Sequence, residues 1–330
     1  MRPVMLGWRH DPHFIYRIYR RGAMTVLVVG AGATGGYFGA ELHRAGRDVT
    51  FLVRPARAAQ LRERGLRIVG AGQTTAMDPE LVTAQEIAAT WDVVLLTVKA
   101  TALEPAIADF TPAVGPDTAI IPILNGMSHL DILNARFGES RVLGGVAVIA
   151  TQLDSAGDIA QLAPGASLDI GRQDGRTTDR LARVGRELDV PGFDLTVRDD
   201  IVAAMWQKWV FIATVGATTC LMRAPIGDIV AVPGGRDLGP AILAEAAAAS
   251  EAAGYPVPPQ QLAGIESAVT AEGSTLTSSL SRDAVENRHT EVEAVLGELA
   301  RRAAALGVKT PLLDLATMQL RVHETELNAR

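Results

Sequence analysis

The sequence contains one cysteine, Cys220, among 330 residues, so it can form no internal disulfide. No histidine or second cysteine lies beside Cys220 at the spacing of a structural zinc site, and we expect no bound metal. A chain without disulfides suits a reducing compartment. The cytoplasm is therefore the expected location.

The chain also lacks an excess of positive charge. Its 31 Lys and Arg are outnumbered by 37 Asp and Glu, which gives a net charge of -6 at pH 7. Proteins that bind nucleic acids or membrane surfaces need a basic face, so we expect neither partner. No apolar stretch looks long enough to span a bilayer, and we expect no membrane partner on that ground either.

The first 23 residues differ from the rest of the chain. They carry five arginines and several aromatic residues, and they contain no apolar core of a signal peptide. The sequence then restarts at Met24 with the apolar run Thr25–Val29. We expect residues 1–23 to be an upstream leader or a misassigned start that is not part of the fold. The alternative is a basic arm that contacts a partner subunit.

From Met24 to about residue 198, strand-like and helix-like segments alternate. Strands are predicted at 25–29, 48–53, 66–69, 73–76, 91–98, 118–123 and 142–149, and helices at 35–45 and 55–64. Such alternation predicts a parallel sheet with helices on both faces. Residues 24–198 are therefore predicted to form an α/β domain, a Rossmann-type doubly wound sheet that binds a dinucleotide.

Residues 199–330 have a different pattern and are predicted to form an all-α substrate and catalytic domain. Helices are predicted at 201–222, 239–253, 259–270, 284–306 and 311–325, several of them with apolar residues at i, i+3 and i+4. Clefts between two such domains are common substrate sites. Helical domains rich in Ala and Leu often pair, so a homodimer is a possible assembly. The sequence does not show which helix face would form the dimer contact.

A glycine-rich turn follows the first predicted strand and precedes the first predicted helix. It is Gly30-Ala31-Gly32-Ala33-Thr34-Gly35. In a dinucleotide site the first glycine allows a tight turn, the second leaves room for a pyrophosphate, and the third lets the helix pack close to the strand. The helix N-terminus offers its free N–H groups to the anion. A glycine turn without a ligand is the alternative interpretation.

The residues after the second strand indicate which dinucleotide binds. A site for NAD usually has Asp or Glu about 20 residues after the first glycine, to hold the ribose 2′-hydroxyl. Here that stretch is Leu52-Val53-Arg54-Pro55, with Arg57 close behind and no acid. The planar guanidinium of Arg54 suits a 2′-phosphate, so NADPH/NADP+ is preferred over NAD. Arg54 could otherwise be a solvated surface charge.

Polar residues end two later strands. Lys99 follows the apolar run at 94–98, and Asn125 follows the run at 120–124. Ligands of open α/β sheets gather at the carboxyl ends of the strands, so Lys99 and Asn125 are candidate cleft residues. Either one could instead be an ordinary loop residue.

Two ionisable residues of the helical domain are candidates for chemistry. Lys208 lies between Trp206 and Trp209, and if it points into the cleft its pKa falls and it can donate a proton. The alternative is a surface lysine whose stem packs on apolar neighbours. Glu291 precedes Val292 at the start of an apolar helical pattern, so it could lie near the buried face or be an exposed helix residue.

Together these motifs resemble the ketopantoate reductase (2-dehydropantoate 2-reductase) family, from Met24 to the mid-310s. The resemblance is carried by several segments: the residues 30–40, Val98-Lys99, Leu124-Asn125-Gly126-Met127, Trp206-Gln207-Lys208-Trp209, Ser278-Ser279-Leu280 and Asn287–Glu293. Their order and spacing make a chance match improbable.

The resemblance implies NADPH-dependent reduction of a 2-oxo acid, with 2-dehydropantoate reduced to pantoate in pantothenate biosynthesis. It also implies residue roles. Lys208 matches the proton-donating lysine, and Glu291 matches the acid that binds the substrate hydroxyl. Ser279 matches the serine near the substrate carboxylate. Asn125 and Lys99 match residues at the boundary of cofactor and substrate, and Arg54 matches the 2′-phosphate contact.

The sequence departs from the best-known members of that family at two positions. Those members have Asn four and eight residues after the lysine, where this chain has Ile212 and Gly216. A site that loses two amides no longer selects the same polar substrate, so a more apolar 2-oxo acid is an alternative.

Two further alternatives stay open. One is a β-hydroxyacid dehydrogenase, although the Gly-Gly pair typical of that class upstream of the lysine is missing from residues 199–205. The other is a non-catalytic NADP sensor, which the retention of Lys208 and Glu291 disfavours.

Overall fold

The computed structural model describes residues 24–70 and 72–329. The expectation of a leader at residues 1–23 lies outside these described residues. The described part contains ten strands: β1 (Thr25–Val29), β2 (Asp48–Leu52), β3 (Leu66–Gly70), β4 (Gln73–Met77), β5 (Glu80–Val82), β6 (Trp91–Leu96), β7 (Val114–Pro122), β8 (Leu143–Leu153), β9 (Ile159–Arg172) and β10 (Asp194–Val197).

Twelve α-helices lie in the same described ranges. Five precede residue 199: α1 (Ala33–Arg44), α2 (Pro55–Arg64), α3 (Leu103–Phe110), α4 (Ser128–Phe137) and α5 (Asp179–Leu188). Seven lie after it: α6 (Ile201–Met222), α7 (Ile226–Val230), α8 (Gly235–Ala252), α9 (Pro259–Val269), α10 (Ser279–Val285), α11 (Glu298–Ala305) and α12 (Pro311–Asn328). A π-helical turn, Glu293–Gly297, leads into α11.

The first sheet has the strand order β5-β2-β1-β6-β7, with every pair parallel. Its strands are apolar on both faces, as buried parallel strands are, because helices cover both sides. The order runs outward from β1 in both directions, so a crevice opens between the carboxyl ends of β1 and β6. This confirms the predicted Rossmann-type sheet.

A second sheet was not predicted. It has the order β10-β9-β3-β4, with β8 also paired to β9, and it mixes parallel and antiparallel pairs. The long strand β9 is hard to recognise because it contains Pro164-Gly165, a pair typical of turns. In the structure Ile149 pairs with Ala166 but Thr151 pairs with Gln161, so residues 162–165 bulge out of the β8–β9 ladder.

The C-terminal part of the chain is helical, as predicted. Helix α6 is central, with Trp206, Trp209 and Val210 among its fully or nearly fully buried side chains. Among the described residues, helix α6 is long and apolar enough, by length and composition alone, to cross a membrane. This finding corrects the expectation that the sequence contains no such stretch. In the structure 67% of its most apolar 18-residue window is buried against the rest of the protein. The last strand, β10, ends at Val197, and helix α6 begins at Ile201. The predicted domain boundary between residues 198 and 199 stays a prediction.

The predicted helix over 284–306 is wrong as a single element. Helix α10 ends at Val285, and the chain resumes helical geometry only at Val292. Asn287 has a φ of 53°, in the left-handed region that Asn tolerates better than most residues, and it reverses the chain there. This break is what brings Glu291 out of a helix and to the edge of the first sheet.

Candidate active site

The backbone of the glycine turn has the geometry predicted for a tight turn, an open space and a close helix approach at Gly30, Gly32 and Gly35. Gly30 has a φ of +96°, a conformation that other residues rarely adopt. A Cβ on Gly32 would meet nothing within 4 Å, so the backbone faces open space there. A Cβ on Gly35 would overlap Thr97 Oγ1 and the Gly30 carbonyl oxygen, so only glycine lets α1 approach the turn. No side chain among the described residues caps the first turn of α1.

Thr97 is a residue of this turn that the sequence analysis missed. It follows β6, and its hydroxyl lies 2.9 Å from the carbonyl oxygens of both Val29 and Gly30. One hydroxyl proton serves these two acceptors, which holds the ends of β1 and β6 together. A Thr after a strand is too common for sequence alone to single it out.

The two arginines after β2 do different things. Arg57 donates to the Ala31 carbonyl from Nε at 3.2 Å and from a terminal nitrogen at 3.0 Å, and it also donates to the Gly157 carbonyl. Arg57 therefore braces the glycine turn from outside. Arg54 is exposed at the start of α2, and its guanidinium makes no hydrogen bond to any other described residue. Arg54 is the arginine that remains available to a ligand.

The loop after β6 is tied to the helical domain. The ammonium group of Lys99 donates to Asp283 Oδ2 at 2.9 Å, and Asp283 also pairs with Arg288. The Ala100 N–H donates to Glu291 Oε1 at 2.8 Å. Lys99 is therefore at the predicted sheet edge, with its charge paired across the two domains. Asp283 was not identified from the sequence because its partner is 184 residues away.

Glu291 and Asn125 meet at this edge. Glu291 is half-buried, and its Oε2 lies 3.4 Å from Asn125 Nδ2, a long hydrogen bond. One carboxylate thus contacts the loops that follow β6 and β7. Asn125 comes directly before Gly126, whose φ of +79° turns the chain away from the sheet.

Lys208 lies in a small cavity between the two domains. The cavity is lined by Leu124, Asn125, Gly126, Gly145, Val146, Met205, Lys208, Trp209 and Ile212. Three side chains in this lining carry N–H groups that can donate to an oxygen: Asn125, Lys208 and Trp209. Both flanking tryptophans are buried, with Trp206 at 2% and Trp209 at 1% exposure. The lysine stem is therefore held inside the fold.

The cavity changes the chemistry of Lys208. Desolvation disfavours the ammonium form and lowers the pKa of Lys208 to about 8, while the negative charge of Glu291 acts in the opposite direction. An amine with this pKa is largely protonated at neutral pH and can still release its proton readily. The arrangement is suited to donating a proton to an oxygen that develops negative charge.

Ser279, Ile212 and Gly216 have different surroundings. Ser279 is exposed in the first turn of α10, and the preceding Ser278 caps that helix by accepting the Ser281 N–H at 2.9 Å. Ile212 lines the cavity one turn after Lys208, and a Cβ on Gly216 would lie 3.1 Å from Leu280. The cavity wall one turn after the lysine is therefore apolar at Ile212, a position where the best-known members of the resembled family have Asn.

The chain matches known proteins over both of its parts. The sequence model described as ketopantoate reductase PanE/ApbA matches residues 26–175, and the model described as ketopantoate reductase PanE/ApbA C terminal matches residues 200–324. The chain belongs to the ketopantoate reductase family.

Several known proteins resemble the chain along its length. It is 32% identical to the uncharacterized oxidoreductase YkpB of Bacillus subtilis, over 92% of this chain and 100% of that protein. It is 26% identical to a 2-dehydropantoate 2-reductase of Mesorhizobium japonicum, over 88% of this chain and 95% of that protein. These matches support an oxidoreductase of the ketopantoate reductase family.

Solved structures agree with this assignment. The 2-dehydropantoate 2-reductase from Geobacter metallireducens superposes with a TM-score of 0.81 at 26% identity, covering 90% of this chain and 99% of that one. D-mandelate dehydrogenase with NADH and anilino(oxo)acetate superposes with a TM-score of 0.83 at 22% identity, covering 92% and 99% of the two chains. At that identity the second likeness concerns the fold alone.

Proposed function

We propose that this protein reduces a 2-oxo acid with NADPH, and that 2-dehydropantoate, reduced to pantoate for pantothenate biosynthesis, is the first candidate substrate. The observation that carries the proposal is the half-buried Lys208, with its pKa lowered to about 8, in a cavity that also contains Asn125. The cavity adjoins the carboxyl edge of the sheet where the glycine turn lies. A proton donor and a dinucleotide site are the two parts that such a reduction needs.

The residues present fit a dinucleotide. The open space at Gly32 can admit a pyrophosphate, and the first N–H groups of α1 are free of side-chain caps among the described residues. Residues 30–35 would hold the pyrophosphate, with Lys99 and Asn125 near the reacting end. Arg54, which is exposed and has no partner among the described residues, would bind the 2′-phosphate and favour NADP over NAD.

Each of the chain's own site residues has a separate role in this reaction. When bound, the nicotinamide supplies a hydride to the ketone carbon of the acid. Lys208 stabilises the negative charge that develops on the carbonyl oxygen and donates its Nζ proton to that oxygen. Asn125 and Glu291 orient the substrate, and Ser279 is proposed to bind its carboxylate. Such positioning lowers the entropic part of the barrier.

A second candidate substrate is favoured by the cavity lining. Five of its side chains, those of Leu124, Val146, Met205, Trp209 and Ile212, are largely apolar. A 2-oxo acid with an apolar side chain would pack against these side chains without leaving hydroxyl groups unpaired. The same protein would then be a reductase, or in reverse a dehydrogenase, of a different hydroxy acid.

The test is NADPH oxidation by the purified protein against a panel of 2-oxo acids. The panel includes 2-dehydropantoate and acids with branched aliphatic and aromatic side chains. Fastest turnover with 2-dehydropantoate supports the first candidate, and fastest turnover with an apolar acid supports the second. Binding of NADPH without turnover of any acid would refute the proposed reaction and favour a non-catalytic NADP sensor.

We also propose a cytoplasmic location and a homodimeric assembly. A cytoplasmic location is supported by the single cysteine, Cys220. A homodimer is supported by one structural neighbour, a dimeric ketopantoate reductase from Staphylococcus aureus. Light scattering coupled to size-exclusion chromatography would measure the oligomeric state.

A further inference from the structure

The π-helical turn Glu293–Gly297 lies beside the candidate site. The Glu298 N–H reaches the Glu293 carbonyl, five residues back, where an α-helix would use the carbonyl four residues back. Such turns cost stability and are found often where a protein must place particular groups. Ala294, Val295 and Leu296 are all buried here, so the widened turn faces the interior of the protein.

Two backbone contacts connect this turn to Asn125 and Glu291. A Cβ on Gly126 would overlap the Ala294 carbonyl oxygen, so the loop after β7 packs on the turn backbone to backbone. The Val295 N–H donates to the Glu291 carbonyl at 3.0 Å. The turn therefore fixes the start of the segment from which Glu291 reaches the Ala100 N–H.

A third contact connects the turn to the helix that bears Lys208. The indole N–H of Trp209 donates to the Val295 carbonyl at 2.7 Å, at the short end of the range for such bonds. Trp209 is 1% exposed and Val295 is 3% exposed, so water does not compete for this bond. It is a directional contact, and it sets the rotation of α6 relative to the turn in a way that apolar packing alone does not.

We propose that this indole–carbonyl hydrogen bond positions Lys208 against Asn125 and Glu291, so that Trp209 is a positioning residue for proton transfer. The inference rests on the proposed role of Lys208 as the proton donor. Without the indole N–H the buried Val295 carbonyl loses this donor, and the turn relaxes or admits water in its place. Either response displaces the lysine next to Trp209 and hydrates it.

The test compares Trp209→Phe with Trp206→Phe in the full chain. The two tryptophans lie one turn apart on α6 with ring centroids 4.9 Å apart, and both are buried. The indole of Trp206 stacks on Tyr255 and has no hydrogen-bond partner among the described residues. Both variants lose the same ring volume, so Trp206→Phe controls for the general loss of packing on α6.

In Trp209→Phe we expect kcat to fall about 10-fold or more, with NADPH affinity retained. We also expect the pKa of Lys208, measured by NMR titration of its ammonium group, to rise toward its ordinary value because water enters. Trp206→Phe should lower the melting temperature comparably but change neither quantity. The inference is overturned if either kcat or the pKa of Lys208 is the same in the two variants.

The NMR titration separates this inference from the proposed function. If wild-type protein reduces none of the 2-oxo acids, the proposed function fails while the pKa comparison still decides whether Trp209 positions the lysine. If Trp209→Phe does not fold, Trp209 is replaced with benzothienylalanine, which keeps the bicyclic shape and removes only the N–H donor. The same changes in kcat and in the pKa of Lys208 are then expected, and their absence overturns the inference.

Discussion

Arg54 is the residue on which the choice between NADPH and NADH depends. Its guanidinium is exposed and has no partner among the described residues, so Arg54→Ala should leave the fold intact. We expect NADPH affinity to fall about 10- to 100-fold, the loss of one charge-assisted contact, with NADH affinity nearly unchanged. Fluorescence titration with both cofactors measures the two dissociation constants.

Arg57→Ala is the matched control for this prediction. Arg57 braces Ala31 and Gly157 through their carbonyl oxygens, so its loss should weaken NADPH and NADH binding alike. Equal losses of the two cofactors in Arg54→Ala would contradict the 2′-phosphate role.

The lowered pKa of Lys208 predicts a pH dependence of turnover. Reduction requires the protonated amine, so kcat/KM for reduction should fall tenfold per pH unit above the free-enzyme pKa of about 8. Oxidation of the hydroxy acid requires the neutral amine and should rise over the same range. In Lys208→Arg, which stays charged, the alkaline fall of any residual activity should disappear. A wild-type profile that is flat to pH 10 would rule out Lys208 as the titrating donor.

Among single residues, the predictable ones were those whose importance lies in local geometry. The backbone geometry at Gly30, Gly32 and Gly35 was predictable because it depends on the local chain alone, while their binding of a cofactor stays a prediction. Thr97 and Asp283 were not predictable, since their importance comes from partners 67 and 184 residues away. The proton-donating role of Lys208 was proposed from its flanking tryptophans as well as from a family resemblance, and the roles of Glu291 and Ser279 came from the resemblance alone. All three stay predictions.

At the scale of the elements, the contact between the β1–α1 turn and the end of β6 can be tested by two similar substitutions. Gly35→Ala would place a methyl group on Thr97 Oγ1 and the Gly30 carbonyl oxygen, so we expect a loss of about 1–3 kcal/mol in the free energy of unfolding. Gly32→Ala meets open space in the protein, so the fold should keep its stability while NADPH binding weakens. Chemical denaturation and cofactor titration measure the two effects.

Each glycine variant is the control for the other, because both add one methyl group and the two positions are three residues apart. A Gly32→Ala protein that binds NADPH normally would contradict the pyrophosphate site. Equal stability of the two variants would contradict the close approach of α1.

Individual strands and helices were predictable where the pattern of apolar residues was clear and no turn-forming residues interrupted it. Strand β1 and helix α6 have the bounds that the sequence predicted, 25–29 and 201–222, because each is a largely apolar segment with clear ends. Strand β9 was missed because its Pro164-Gly165 bulge is typical of a turn. The break after α10 was missed because the apolar helical spacing continues past Asn287.

At the scale of the whole molecule, stability should depend on His129. This residue is 2% exposed in the first turn of α4, and neither of its ring nitrogens has a hydrogen-bond partner among the described residues. Burial, with the positive charges of Lys208 and Arg302, lowers the pKa of His129 to about 3. Unfolding would restore an ordinary pKa near 6.5.

The unfolded chain therefore binds a proton at His129 between about pH 6.5 and 3 that the folded chain does not. The free energy of unfolding should fall as pH drops through this window, by up to about 1.4 kcal/mol per pH unit from this group. In His129→Phe that slope should be smaller, whereas His43→Phe, in helix α1 of the same domain, should keep it. Urea denaturation at pH 7, 6 and 5 provides the slopes, and identical slopes in wild type and His129→Phe would contradict the prediction.

The global architecture was predictable to the level of a doubly wound sheet followed by helices. The second sheet was not, because the pair that joins its two halves, β3 with β9, links Ile68 to the distant Ile159. The join between the domains also depends on long-range contacts, such as those of Lys99 with Asp283 and of Ala100 with Glu291. No local pattern specifies these pairs.

The central claim is that Lys208 donates the proton in an NADPH-dependent reduction of a 2-oxo acid. Its most direct test is the turnover number of Lys208→Ala, measured with the best acid of the panel beside the NADPH dissociation constant of the same variant. We predict that kcat falls about 100-fold or more while NADPH binds as in wild type. Near-wild-type turnover in Lys208→Ala would contradict the account.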